Sequence, residues 1–137
     1  MDTKMKNSSF FSKLLFLFLI FSANAHAEDV FVICGTTTIL AADDIKDVFI
    51  GEKQVEAGIK LTPIDNAALK SEFLEKVLHL PADKYSSIWV KKGFREGLNP
   101  PTVKSNDLEV IALVKSHSGT IGYVSKPSPD VKVIKKF

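Results

Sequence analysis

The chain has 137 residues, with 18 Lys and Arg against 16 Asp and Glu, a single cysteine and a formal charge of +2. The first 27 residues hold Lys4, Lys6, Lys13 and Asp2, so the remaining 110 carry 15 basic and 15 acidic groups. That balance excludes nucleic-acid or anionic-membrane binding through a bulk basic field, 110 residues suffice for one modest domain, and the lone Cys34 excludes an intramolecular disulfide.

In chain order, the first expectation is a targeting segment. The early lysines precede the apolar run Leu14 to Phe21, and Ala25-His26-Ala27 puts small residues where a signal peptidase cuts, which predicts a signal peptide over 1–27 with cleavage before Glu28. Ile33 before Cys34, and Glu28 and Asp29 ahead of it, argue against a lipoprotein. Asp29 to Cys34 predicts a strand covered on both faces, with Cys34 buried in it. Gly35 and Thr36 to Thr38 form a polar loop. A helix follows over about Ala42 to Ile50, ended by Gly51; Ala41 stands at its cap, a loss of which Asp43 and Asp44 recover part by facing the helix dipole.

Glu52 to Lys60 reads as a polar connection and Leu61 to Ile64 as a second strand, placed at an edge or a strand end by Pro63. Asp65 or Asn66 is expected to cap a helix running to Leu78, with Leu69, Phe73 and Val77 on one face. Another helix starts near Pro81 and presents Tyr85, Ile88 and Trp89 to the core. Lys91, Lys92 and Arg95 beside Gly93 suggest a solvated basic turn or a contact patch for a membrane partner. Asn106 and Glu109 form a capping box for a helix that is apolar over most of its circumference and must lie against a sheet. Gly119 stops it, Thr120 to Val124 is a strand in which Gly122 signals a close approach, Ser125 to Asp130 is a turn, and Val131 to Ile134 is a last strand. Alternating strands and helices give an α/β fold.

The ordered set Trp89, Phe94, Gly97, Pro100-Pro101 and Ile121-Gly122-Tyr123-Val124, with Asp44-Ile-Lys-Asp-Val-Phe-Ile-Gly51 and Phe73 to Leu78 upstream, resembles the phosphate-binding family of periplasmic solute-binding proteins. It is similar to the short members that hold about one lobe. The resemblance implies a single lobe of a type II periplasmic binding protein-like fold over 28–137, a mixed sheet flanked by helices. It further implies a periplasmic or secreted location, and a small oxyanion such as phosphate bound for an ABC importer. The Ser-Gly-Thr run that holds phosphate in large family members is missing: Ala67, Ala68, Leu69, Lys70 and Ser71 stand across that region. This departure keeps open a second reading, an envelope scaffold that binds another protein and has lost the anion.

In open α/β sheets ligands collect beyond the carboxyl ends of strands. Three segments are therefore expected to converge there: Thr36, Thr37 and Thr38; Asp65, Asn66 and Ala67; Ser125 and Lys126. Hydroxyls, amides and one ammonium make an oxyanion cradle, although a carboxylate at Asp65 repels the same ligand. Micromolar affinity requires about 8 kcal/mol, and a half-wet anion with a few contacts of roughly 1.5–3 kcal/mol each falls short after immobilisation. Tight binding therefore calls for a second copy, as in a homodimer, or a partner lobe such as a permease or another envelope protein. His79 and His117 lack metal-ligand spacing, no motif suggests an enzyme, and neither cofactor nor nucleic acid is expected.

Overall fold

Strand direction decides where this chain can bind anything, and it follows from the pairing of the seven short strands among the described residues. The computed structural model describes residues 28–137; the signal peptide expected over 1–27 lies outside them. In order the elements are β1 (Phe31–Cys34), a 3₁₀ turn (Ala42–Asp44) running into α1 (Ile45–Phe49), β2 (Val55–Glu56), β3 (Ile59–Lys60), β4 (Thr62–Asn66) and α2 (Lys70–Phe73), which continues as a π-helical turn (Leu74–Leu78). Then come α3 (Ala82–Glu96), β5 (Thr102–Lys104), α4 (Asp107–Ser116), β6 (Thr120–Val124) and β7 (Lys132–Lys136). The main sheet has the order β5-β4-β6-β1-β7. β4 is parallel to β5 and β6, whereas β1 is antiparallel to β6 and β7, so the sheet is mixed.

Alternation along the strands divides the core. Val32, Cys34, Ile121 and Tyr123 face one side, where α1, α2 and α3 contribute Val48, Phe49, Phe73, Leu78, Tyr85 and Trp89. Ile33, Ile64 and Val124 face the other, covered by Val110 and Val114 of α4. That helix meets the sheet closely because Gly122 has no side chain: a Cβ there would stand 2.5 Å from Val110 Cγ1. The close approach read from Gly122 is thus the helix that follows from the capping box. Asn106 Oδ1 accepts from the Glu109 amide at 3.0 Å, and the Glu109 carboxylate accepts from the Ser105 amide at 2.8 Å, one residue before the cap.

Two expectations are corrected by the backbone. The connection Glu52 to Lys60 contains the hairpin β2–β3, whose turn residues Ala57 and Gly58 both have positive φ, +50° and +78°; an Ala at the first turn position hides a geometry usually announced by Asn-Gly. Lys91, Lys92 and Arg95 are helical, in the last turns of α3, and Lys92 bridges Glu52 at 3.1 Å and Glu96 at 3.0 Å. Of the two places open to Pro63, an edge or a strand end, it takes the second, at the start of the inner strand β4. β5 and β7 are the edges, and β7 carries Lys132, Lys135 and Lys136, charges that discourage further strand pairing.

Candidate functional site

Because β1 runs against β6, the three segments expected to meet are divided between opposite ends of the sheet. Cys34 lies opposite Ile121 and Phe31 opposite Val124, so Thr36 to Thr38 follow β1 beyond the beginning of β6. Asn66 and Ser125 follow the carboxyl ends of β4 and β6, roughly 10 Å or more away at about 3.3 Å per residue. Thr36 and Thr37 are exposed on that far end. Thr38 is buried and structural: its hydroxyl accepts from the Gly119 amide at 3.4 Å and its carbonyl takes the Cys34 thiol at 3.8 Å. Burial pushes the Cys34 thiol up, against a smaller pull from Lys132, which makes it an inert core residue.

The other segments do come together, on a residue that sequence reasoning passed over. Asp107, in the first turn of α4, accepts hydrogen bonds from Asn66 Nδ2 at 2.8 Å, the Ser125 hydroxyl at 2.7 Å, the Ser125 amide at 3.1 Å and the Lys126 amide at 3.0 Å. Partial burial raises its pKa, yet the hydroxyl and amide of Ser125, then Asn66 and the Lys126 amide, outweigh that and hold the carboxyl below its usual range. Four donors gathered on one carboxylate make the arrangement that recognises an oxyanion, and an internal side chain fills it. The signal for Asp107 was its position inside the capping box, where it reads as a dipole charge only.

The start of α2 is equally self-contained. Ala67 donates its amide to the Lys104 carbonyl at 2.8 Å, Ala68 donates to Asn66 Oδ1 at 3.1 Å, and the Leu69 amide goes to the Asn66 carbonyl at 3.1 Å. Ala67 supplies no side-chain contact, and neither Asp65 nor Asn66 caps the helix. Asp65 lies within β4, 2 % exposed, where it accepts from the hydroxyls of Tyr85 at 3.1 Å and Tyr123 at 3.0 Å, with Lys70 Nζ at 3.8 Å. Tyr123 is held in that pose by its ring, stacked on Phe73 at 3.8 Å. Burial pushes the Asp65 carboxyl up, opposed by Lys70 and the two hydroxyls, and burial together with that carboxylate raises both tyrosines.

A folded pKa above the unfolded one means that this carboxyl favours the fold when protonated. Its contribution is present below the unfolded value of about 3.9 and is lost as pH rises through the folded value. Asp65→Asn removes the titration while retaining an acceptor for one tyrosine. The melting temperature of the variant relative to the native protein is therefore expected to rise between pH 4 and pH 7, measured by circular dichroism; a difference constant with pH overturns the assignment.

Beside Asp65, between α3 and the approach to β5, opens a groove of about 640 Å³ with Lys70 and Tyr85 at one end and apolar walls. His79 and His117 stand at separate helix ends, and among the described residues no group of three His, Cys, Asp or Glu can hold a metal ion. Among the same residues no helix is long and apolar enough to cross a membrane.

The mixed sheet with helices on both faces has a periplasmic binding protein-like fold. Two of the solved structures it resembles illustrate the likeness. One, from Clostridium perfringens, is assigned as a phosphate ABC transporter substrate-binding protein and has phosphate bound; it matches with a TM-score of 0.61 and 14 % identity over 79 % of this chain. The other, an ABC-type phosphate transport receptor from Vibrio cholerae, matches with a TM-score of 0.57 and 14 % identity over 79 %. Both are binding proteins rather than enzymes, and this chain spans only 44 % and 46 % of their lengths. Neither a protein-family model nor a curated protein matches the sequence.

Proposed function

We propose that this chain is an exported, non-catalytic solute-binding module related to the phosphate receptors of ABC importers, and that the carboxyl ends of β4 and β6 are its oxyanion-recognising surface. The observation that carries this reading is the gathering of Asn66 Nδ2, the Ser125 hydroxyl and amide and the Lys126 amide on the Asp107 carboxylate. An oxyanion presents the same oxygen geometry, and it takes the niche when Asp107 withdraws. A second copy or a partner lobe, of a permease or another envelope protein, then supplies the remaining contacts. Thr36 and Thr37 belong to a separate, exposed loop in this scheme, and Thr38 and Asp65 are structural.

The second reading, a scaffold that binds another protein and no anion, is favoured by the same carboxylate: a niche that is already filled resists a second anion by charge and by desolvation. Melting curves of the chain from Glu28 onward and of Asp107→Ala, in chloride, sulfate and phosphate, separate the two. The receptor reading predicts that millimolar phosphate stabilises Asp107→Ala and barely moves the native protein; one-site linkage gives about 2.7 kcal/mol at a hundredfold excess over Kd. A flat response of both proteins across the panel leaves the scaffold. Submicromolar phosphate binding by the native monomer contradicts the requirement for a second lobe.

A further inference from the structure

The groove beside Asp65 carries a chemistry unlike that of the oxyanion niche. Its walls are α3 on one side and the segment Leu98 to Val103 on the other, and they expose large apolar side chains: Phe94 is 90 % exposed, Val90 59 % and Val103 53 %. Val90 and Phe94 are four residues apart on one helix face, so their side chains line the cleft in a row, while Pro100 and Pro101 stiffen the opposite rim. At about 640 Å³ the cleft falls within the size range of small-molecule sites. Among the described residues only two charged ones line it, Asp65 and Lys70. Asp65 is 2 % exposed and satisfied by two tyrosine hydroxyls, whereas the Lys70 side chain is 35 % exposed and its ammonium stands 3.8 Å from the carboxylate and 5.3 Å from the Tyr85 ring centre. The accessible charge of the cleft is therefore one loosely paired cation at the end of an apolar trough.

We infer that this groove is a binding site for a small apolar monocarboxylate, its head on Lys70 and its hydrocarbon body along Val90, Phe94 and Val103. Charge complementarity chooses the head: a cation repels amines, and the Asp65 carboxylate behind it disfavours a dianion such as phosphate. The trough chooses the tail, since covering exposed Phe94 and Val90 removes apolar surface from water. None of the donors around Asp107 lines this groove, and inorganic phosphate, which has no apolar body, serves as its negative control.

Trp89, the single tryptophan of the chain, lines the groove and reports on its filling. Titration of the protein with octanoate, followed by Trp89 fluorescence, is expected to give a saturable change. Octylamine and 1-octanol of the same chain length bind at least tenfold more weakly. Lys70→Gln weakens octanoate about tenfold, Lys70→Arg retains it, and Phe94→Ser, a change at a nearly fully exposed position, weakens octanoate and octanol alike. The inference is overturned by octylamine or octanol binding as well as octanoate, by Lys70→Gln leaving the affinity unchanged in a protein with native circular dichroism, or by the absence of saturable binding.

Discussion

Asp107→Ala lowers the melting temperature by roughly 12–24 °C. Four donors lose one acceptor: Asn66 Nδ2, the Ser125 hydroxyl and two consecutive amides. Hydrogen bonds to a charged group contribute about 1.5–3 kcal/mol each when counted singly. The site is only partly buried, so water replaces some of them, and a net loss of about 3 kcal/mol is expected. A domain of this size converts each kcal/mol into about 4–8 °C. The sign with pH is fixed by the lowered carboxyl: its contribution is present above the unfolded value of about 3.9 and disappears as pH falls through the folded value. The gap between native and variant proteins thus closes on acidification below about pH 4. Amide exchange gives the local readout, with the Ser125 and Lys126 amides exchanging faster in the variant. A variant that melts within about 3 °C of the native protein, less than 1 kcal/mol on that scale, shows that Asp107 rests on the niche without holding it.

The same residue shows what the sequence conveys and what it does not. Local signals were legible because their partners are close in the chain. Asn106 and Glu109 announce a helix start three residues apart, Cys34 ends an unbroken apolar run from Val30, and Gly122 interrupts an apolar strand. The niche draws on partners 41 and 18 residues from Asp107, and the tyrosines on Asp65 lie 20 and 58 residues away. No local pattern encodes such pairings, so Asp65 followed by Asn66 reads as a helix cap when it is the end of a strand. The direction of β1 was hidden for a related reason. A strand covered on both faces has the same composition whichever way it runs, yet its direction decides which end of the sheet receives Thr36 to Thr38.

The fold couples the two candidate binding features through neighbours. Asp65 and Asn66 are adjacent in β4, and their side chains point to opposite faces of the strand: Asp65 toward Tyr85 and the groove, Asn66 toward Asp107 and the Ser125 turn. Tyr123 ties them together, since its hydroxyl donates to Asp65 while its carbonyl accepts from Asn66 Nδ2 at 3.1 Å. An occupant of either feature therefore bears on the same two residues of β4. Both residues are almost fully buried, and the cost of leaving their polar atoms unpaired keeps that end of the strand rigid.

At the other end of the sheet, Gly119→Ala is expected to cost about 3–4 kcal/mol, a loss larger than backbone strain alone produces. Gly119 has φ +80°, and a Cβ on it would stand 2.1 Å from the Lys60 carbonyl oxygen and 3.0 Å from Ile59 Cγ2. Its own carbonyl accepts from the Thr62 amide at 2.8 Å, so it joins the hairpin β2–β3, the start of β4 and the start of β6. A methyl group there must push the backbone of Lys60 away, which breaks the register of Thr62 against Thr120. Gly58 provides the control, with nearly the same φ of +78° and nothing within 4 Å of its Cβ position. Gly58→Ala is expected to lose only the left-handed strain, about 1 kcal/mol. Denaturant unfolding of the two variants isolates the close approach: a Gly119→Ala loss at least twice that of Gly58→Ala confirms that the hairpin is clamped onto the sheet at this glycine. Equal losses mean that conformation alone, and no contact with Lys60, selects glycine at both positions.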